Sequence, residues 1–352
     1  MTTWKNPLPK IRLPCRTNMP TPVAIPQLDL SRFDAGETSR AAFLHDLGVA
    51  ARDVGFFYLT GHGIAPGLPG ELLEVTRRFF ALPEAEKLAI EMVNSPHFRG
   101  YNRVARELTR GIPDWREQID IGAERPAVPR NAGLPAWVRL QGPNQWPESL
   151  PELRATVTRW QSAALEVAHR LLRAFSLALG QGADALEALY RDEPHYLVKL
   201  IRYPGRDATG SDQGVGAHKD SELLTLLLQD SHGGLQVQTP QGWVQVTPRP
   251  DTLVVNIGEL LELASNGYLR ATLHRVTTPP AGLERISAAF FLGARLDATV
   301  PLLQLPAALA AQAHGPESDP HNPLFRNVGQ NYLKGRLRSH PDVARRHYPD
   351  LV

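Results

Sequence analysis

Apolar residues change their spacing near residue 195, which divides the chain into two parts of different character. In the first part they recur at helical spacing in four segments, which are 39–55, 71–82, 83–92 and 151–180. The first and last of these segments end on a glycine, and the third opens with a proline, as helices commonly do. Short strands are predicted at 23–30 and 56–64, so the N-terminal region 23–180 is predicted to be rich in helices.

Residues 195–300 contain a succession of short apolar runs that are divided by turn-forming residues. The runs include "YLVKLIRYP", "LLTLLLQD", "GLQVQT", "GWVQVTP", "TLVVNIG", "LRATLHRV" and "RISAAFFLG", and "TPQG" and "TPPAGLE" between them indicate hairpin connections. Many evenly spaced short strands are typical of a sandwich or a closed barrel such as a jelly roll. We therefore predict an α+β fold in which a jelly-roll core over 195–300 is braced by region 23–180 and a helical tail over 301–352. The whole chain, 1–352, is predicted to be a single domain.

Composition argues against several classes of partner. The 352 residues carry a formal net charge of only +2, with basic residues dispersed, which argues against nucleic acid or an anionic membrane surface. No run approaches the ~18 apolar residues of a membrane span, and the N-terminus lacks the apolar core of a signal peptide. The single cysteine, Cys15, cannot form an internal disulfide and fits a reducing compartment. A cytoplasmic protein is the prediction.

A histidine and an aspartate stand two residues apart in "GVGAHKDSELLTLLLQD", at the start of an apolar run. In a strand, residues i and i+2 face the same side, so His218 and Asp220 are expected to point together into the barrel. An inward carboxylate is costly to desolvate unless a cation or a donor accompanies it. His274, in "LRATLHRV", is the best candidate for a third metal ligand. Two imidazoles and one carboxylate form the facial triad of non-haem Fe(II) oxygenases.

The pattern His-x-Asp alone is common, and most examples are solvated surface pairs. This chain contains a second pair at the same separation, Asp230 and His232, inside the Gly-rich turn "DSHGG". A non-catalytic jelly-roll protein that holds Zn(II) at the same three ligands is a further alternative.

A second polar pattern follows shortly after His274. In "RISAAFF", Arg285 and Ser287 share a strand face, on what we expect to be the hairpin partner of the His274 strand. A guanidinium and a hydroxyl that point the same way form a clamp for a carboxylate, which a structural zinc site would not need.

With these motifs the chain resembles the iron(II)/2-oxoglutarate-dependent oxygenases of the isopenicillin N synthase-like family. The resemblance covers most of the chain, from "AIPQLDLS", "GFFYLTGHGI" and "FRGY" to "LIRYP", "HKD", "GGLQV", "VVNIGELLELASNGYLRATLHRV" and "RISAAFF". It implies a double-stranded β-helix, another name for the jelly roll, and Fe(II) bound by His218, Asp220 and His274. It also implies that Arg285, Ser287 and Tyr203 hold the distal carboxylate of 2-oxoglutarate.

The resemblance further implies an enzyme that uses O2 and 2-oxoglutarate to oxidise a small organic molecule, a carboxylate or a specialised metabolite, and releases succinate and CO2. Phe291 matches a pocket aromatic close to the substrate, while Asn256 either faces the substrate or makes a structural hydrogen bond. Tyr101 and Arg99, in the segment 95–122, are candidate substrate contacts. "LIRYP" with Arg-x-Ser also occurs in isopenicillin N synthase itself, which uses no 2-oxoglutarate, so an oxidase of that type is the main alternative.

Overall fold

Two β-sheets face each other in this protein, and helices cover the outer face of the larger sheet. A computed structural model describes residues 24–129, 133–317 and 322–352. Cys15 and Val23, the first residue of a predicted strand, lie outside the described residues.

The described residues form strands and helices in the following order along the chain. The strands are β1 (Gln27–Asp29), β2 (Phe56–Thr60), β3 (Gly100–Asn102), β4 (Leu108–Thr109), β5 (Ile112–Pro113), β6 (Glu117–Gly122), β7 (Tyr196–Tyr203), β8 (Gln213–His218), β9 (Leu224–Gln229), β10 (Leu235–Thr239), β11 (Gly242–Gln245), β12 (Leu253–Ile257), β13 (His274–Thr277) and β14 (Arg285–Leu292). The helices are α1 (Glu37–Asp53), α2 (Leu68–Phe80), α3 (Glu84–Ala89), α4 (Pro151–Ala178), α5 (Glu187–Tyr190), α6 (Glu259–Ala264), α7 (Ala307–Ala310), α8 (Val328–Ser339) and α9 (Pro341–His347).

The strands are shared between one large and one small sheet. The large sheet has the order β1-β2-β12-β9-β14-β7-β6-β3, and the small sheet has the order β11-β10-β13-β8. Strands β4 and β5 form a separate two-stranded hairpin. Apart from the pair β10 and β11, which both lie in the small sheet, consecutive strands from β7 to β14 alternate between the two sheets, and this alternation brings residues that are distant in sequence to one interior.

Two apolar clusters separate the layers. The larger cluster joins the outer face of the large sheet to helices α1, α2 and α4, and includes Phe43, Leu72, Trp160, Leu200, Leu226 and Phe290. A smaller cluster fills one end of the space between the sheets, and includes Tyr58, Ile201, Val215, Val237, Val254 and Val276. Because apolar packing on the outer face anchors the large sheet, its inner face is free to carry polar groups at the other end of the barrel.

The predicted α+β class is confirmed, and several predicted elements occur where the pattern placed them. Helix α4 matches the segment 151–180, starting at Pro151 and followed by Gly180 with φ +72°. The "TPQG" turn joins β10 to β11 as an antiparallel hairpin in which Thr239 pairs with Gly242.

The "TPPAGLE" turn, in contrast, does not form a hairpin. Strand β13 pairs with β10 and β8 in the small sheet, whereas β14 pairs with β7 and β9 in the large sheet. The expectation that Arg285 lies on the hairpin partner of the His274 strand was therefore wrong. Pro279 and Pro280 have no backbone N–H to donate to a ladder, so the connection leaves one sheet and crosses to the other.

The segment 94–150 is more ordered than its Pro and Gly content indicated. It contributes β3 and β6 to the large sheet, and every residue of β6 is buried. Its β4–β5 hairpin packs on β8, where a side chain at Gly216 would collide with Thr109.

The tail over 301–352 is helical only in part, and α8 and α9 pack on residues around Phe98. Of the helices in the described part of the chain, none combines the length and apolar character of a membrane span.

Candidate metal centre and adjoining cavity

His218 and His274 are direct cross-strand neighbours in the small sheet. The register of β8 and β13 pairs the two residues, and their imidazole rings lie 4.3 Å apart, centroid to centroid. Neighbouring strands place such partners on the same face, so both imidazoles point into the interior between the sheets.

Asp220 joins the two histidines by a different route from the one expected. Strand β8 ends at His218, so Asp220 lies in the connection that carries the chain to β9 in the large sheet. Its backbone carbonyl accepts a hydrogen bond of 2.8 Å from the N–H of Glu259, at the start of α6. The alternation rule for a single strand therefore does not apply to this aspartate, although its side chain still reaches the histidines.

The three side chains converge on one point. Asp220 Oδ1 lies 3.5 Å from Nε2 of His218 and 3.5 Å from Nε2 of His274, and one ligand atom from each residue lies within 4.8 Å of the others. The Nδ1 atoms face backbone carbonyls, at 2.8 Å for His218 and 3.1 Å for His274. Because a carbonyl only accepts, each Nδ1 carries the proton, which leaves Nε2 available as a metal ligand.

Asp220 is held by two donors from the large sheet. Its Oδ2 accepts hydrogen bonds from the Thr225 hydroxyl and, at 2.8 Å, from Asn256 Nδ2, so Oδ1 alone faces the histidines. Burial would raise the pKa of Asp220, but the imidazoles of His274 and His218, when protonated, hold it well below its ordinary value. Asn256 therefore positions the carboxylate of Asp220. Of the two roles considered for Asn256, contact with the substrate or a structural hydrogen bond, the geometry favours the second.

The donor set fits a divalent cation. Three groups with lone pairs directed at one another repel unless a positive charge lies among them, and burial raises the energy of leaving them so. Two imidazoles and a carboxylate suit Fe(II). Among the described residues this is the one group of three such side chains close enough to share a metal ion. In the second pair, Asp230 instead accepts backbone N–H bonds from His232 and Ile286.

Arg285 is buried at the inner end of β14. Its guanidinium donates to Ser287 Oγ at 3.3 Å and to Gln229 Oε1 at 2.8 Å, and it lies over the Tyr203 ring at 4.9 Å from the centroid. Tyr203 is the cross-strand partner of Arg285, so the three predicted clamp residues lie together.

The surroundings of Arg285 fit a carboxylate ligand. Its Nε is buried and has no hydrogen-bond partner among the described residues, which is costly for a cationic donor. The backbone of Gly234 lies beside it, since a Cβ at that position would be 3.7 Å from Arg285 Cδ. A carboxylate placed here would satisfy the Nε donor and neutralise the buried charge.

A cavity of about 610 Å³ adjoins the metal centre. His218, Asp220 and Phe291 line it, together with residues of the β4–β5 hairpin and of α8. Phe291 therefore lies where the family resemblance placed a pocket aromatic. Ser287 and Arg285 lie on the same face of β14 as Phe291, toward the start of the strand.

Tyr101 and Arg99 are not among the described residues that line this cavity. The Tyr101 hydroxyl donates to Glu117 at 2.6 Å, and its ring packs against Phe79 in the large cluster. Arg99 is buried and donates to the carbonyls of His97 and Leu140, and burial lowers its pKa to about 10. The geometry favours structural roles for both. The segment 95–122 does reach the cavity, but through residues 107–111 and Arg116.

Sequence reasoning missed several polar residues of the site. Thr225 interrupts the apolar run "LLTLLLQD", which is the same signal that drew attention to Asn256. Glu222 and Glu259 also line the cavity, and burial raises the pKa of each to about 7, in Glu222 with a contribution from the Asp220 charge. Glu222 follows Asp220 by two residues, but Glu259 reaches the cavity only through the packing of α6, which no local pattern reveals.

Comparison with known proteins identifies two matching family models. Residues 25–149 match the model "non-haem dioxygenase in morphine synthesis N-terminal", and residues 194–294 match "2OG-Fe(II) oxygenase superfamily".

Curated relatives and solved structures agree with these matches. A 2-oxoglutarate-dependent dioxygenase, frbJ, of Dothideomycetidae sp. (strain 11243) is 36% identical over 94% of this chain and 94% of its own length. Homoarginine-6-hydroxylase 2-ODD-C23.1 of Arabidopsis thaliana is 36% identical over 80% of this chain and 88% of its own length. A full-length Neurospora crassa protein, crystallised in complex with alpha-KG and 5-formyluracil, superposes with a TM-score of 0.70, at 26% identity over 89% of this chain and 96% of that one.

The two donors to Asp220 generate a prediction about metal affinity. Thr225→Val keeps the shape of the side chain but removes the hydroxyl, so we expect the affinity for Fe(II) to fall about tenfold. Anaerobic titration with Fe(II) measures this effect. Thr278→Val is the matched control, because the Thr278 hydroxyl is also buried but has no hydrogen-bond partner. Equal affinities in the two variants would contradict the role of Thr225.

Proposed function

Because the chain belongs to the Fe(II)- and 2-oxoglutarate-dependent dioxygenases, in the isopenicillin N synthase-like family, we propose that His218, Asp220 and His274 bind its iron. The observation that carries this proposal is the convergence of two Nε2 atoms and one Oδ1 atom, with both Nδ1 protons committed to carbonyls. The enzyme oxidises a small organic substrate with O2 and releases succinate and CO2 from 2-oxoglutarate. Iron together with 2-oxoglutarate supplies the activation of O2.

We assign the distal carboxylate of 2-oxoglutarate to Arg285, Ser287 and Tyr203. Arg285 offers a full positive charge and an Nε donor that has no partner among the described residues. Ser287 offers a hydroxyl on the same strand face. The ring of Tyr203 holds the guanidinium in place. The apolar cluster between the sheets, to which Tyr203 belongs, keeps water from this end of the barrel. The substrate is assigned to the cavity beside the metal centre, against Phe291.

The alternatives raised by the sequence receive no support from the relatives. Proteins named 2-oxoglutarate-dependent dioxygenase cover nearly the whole chain, which favours neither an oxidase without 2-oxoglutarate nor a non-catalytic zinc protein.

We further propose that residues 1–352 act as one catalytic domain. This is supported by β6, which extends the large sheet from the N-terminal region, and by α8, which lines the cavity from the tail.

A cytoplasmic location is proposed from the single cysteine, and a small molecule, with no nucleic acid or membrane, is the proposed partner.

Removal of the iron carboxylate tests the metal assignment. Asp220→Ala is expected to lose bound iron and to abolish succinate formation, because two neutral imidazoles alone hold Fe(II) weakly. Iron content and succinate release are measured on the same preparation. His232→Ala, which alters the second His and Asp pair, should retain both. The assignment fails if Asp220→Ala keeps the iron content and succinate output of the unmodified enzyme.

Replacement of the clamp arginine tests the cosubstrate assignment. In Arg285→Gln the charge-assisted hydrogen bonds are lost, so the KM for 2-oxoglutarate should rise about 10- to 100-fold. Iron content should be unchanged. Arg206→Gln is the control, since this exposed arginine pairs only with Asp212 among the described residues. An unchanged KM in Arg285→Gln would place the cosubstrate elsewhere.

Homoarginine is the first substrate to test, because one of the relatives reported above is named a homoarginine-6-hydroxylase. If this chain shares that substrate, homoarginine will stimulate succinate release and yield a product heavier by one oxygen atom, as mass spectrometry would detect. Succinate release that does not respond to homoarginine would exclude it as substrate.

A further inference from the structure

Most charged side chains around the cavity already have partners of opposite charge. Lys199 Nζ lies 2.7 Å from Glu107, and Arg116 lies 2.7 Å from the other oxygen of that carboxylate. Arg336 lies 2.9 Å from Asp120. On the side of α6, Lys219 contacts both Glu262, at 3.3 Å, and Glu317, at 2.8 Å. These cations are therefore committed to carboxylates of the protein itself.

Glu222 and Glu259 differ from this pattern. Glu222 is only 8% exposed, yet it lines the cavity, and Glu259 lines it beside α6. Among the described residues, none forms an ion pair with either carboxylate, and no side chain donates a hydrogen bond to them. Lys199 and Arg336 attract the charge of Glu222, and Lys219 and Lys334 attract that of Glu259, but among the described residues none of these cations forms an ion pair with either carboxylate.

Backbone hydrogen bonds join the two segments that carry Glu222 and Glu259. The N–H of Leu260 donates to the carbonyl of Glu222 at 3.2 Å, and the N–H of Glu259 donates to the carbonyl of Asp220 at 2.8 Å. The first turn of α6 is thus fastened to the connection that carries Asp220. Both glutamates line the same cavity as Asp220 and His218.

Glu222 is buried and Glu259 is half-buried, and carboxylates in such places are costly without a paired cation unless they are protonated or a cation joins them. An ammonium or guanidinium group of a ligand would supply both the positive charge and several N–H donors. Burial already raises the energy of the charged forms, so a ligand cation would gain more from this site than from an exposed one.

We propose that Glu222 and Glu259 bind a cationic group of the substrate, an ammonium or a guanidinium, beside the iron site. This proposal rests on the proposed function, because it takes the cavity next to the metal ligands as the place of the substrate. Arg110 and Arg338, which are exposed and line the same cavity, favour a substrate that also carries a carboxylate. An amino acid with a basic side chain meets both requirements.

The test compares homoarginine with homocitrulline, in which a neutral urea group replaces the guanidinium at nearly constant shape. Their binding to the enzyme loaded with Fe(II) and 2-oxoglutarate is measured by calorimetry without oxygen. We expect homoarginine to bind about tenfold more tightly or better, since a site built for charged donors rejects the analogue that lacks them. Glu222→Gln and Glu259→Gln should each reduce this ratio, and the double variant should bring it close to one.

Glu317→Gln is the matched control. It removes a carboxylate from the same cavity, but one that is 71% exposed in its side chain and already paired with Lys219, so the ratio should persist. If Glu222→Gln fails to fold, Glu259→Gln decides alone, because its carboxylate is less deeply buried.

Two results would overturn the proposal. One is an affinity of the unmodified enzyme for homoarginine no greater than for homocitrulline, including the absence of binding by both. The other is a preference that survives in the glutamate variants. Failure of the unmodified enzyme to take up iron or 2-oxoglutarate would instead refute the assignments of His218, Asp220 and Arg285, since that uptake does not involve the two glutamates.

Discussion

The burial of one carboxylate, Asp220, is the constraint on which the rest of the site depends. Its charge stays in the interior because four groups surround it, two imidazoles from the small sheet and the hydroxyl of Thr225 and amide of Asn256 from the large sheet. Neither sheet alone could supply all four. The proposed metal centre therefore forms where the two sheets meet. A metal ion bound there would in turn offset the cost of burying these polar groups.

Apolar packing elsewhere compensates for this polar interior. The outer face of the large sheet lies under three helices, and one end of the space between the sheets is filled by the smaller apolar cluster. The other end holds a chain of charges of alternating sign that runs from Arg116 through Glu107 and Lys199 to Asp120 and Arg336. Buried ions of alternating sign tolerate the low dielectric better than isolated ones, and this leaves Glu222 and Glu259 as the exceptions.

Short local patterns were enough to select the three proposed metal ligands and the three proposed clamp residues, and the structure brings each group together. Local patterns could not show which strands would pair. Arg285 was therefore assigned to the wrong sheet, and the strand β6 was missed within a segment rich in Pro and Gly. Tyr101 and Arg99 were candidate substrate contacts because they lie in the segment 95–122, which was expected to line the pocket, but whether a side chain faces a cavity or the core depends on packing between distant segments. Glu259 was missed for the same reason.

The register of β3 with β6, and of β6 with β7, has a consequence for how this enzyme can diverge. These ladders fix both ends of the loop that lies between β3 and β6, while the loop itself, with its β4–β5 hairpin, forms part of the cavity wall. Insertions or exchanges within that loop can reshape the wall without disturbing β14, which carries Arg285, or the connection from β8 to β9, which carries Asp220. Substrate specificity can therefore evolve through changes in this loop, while the strands that flank it keep their pairing.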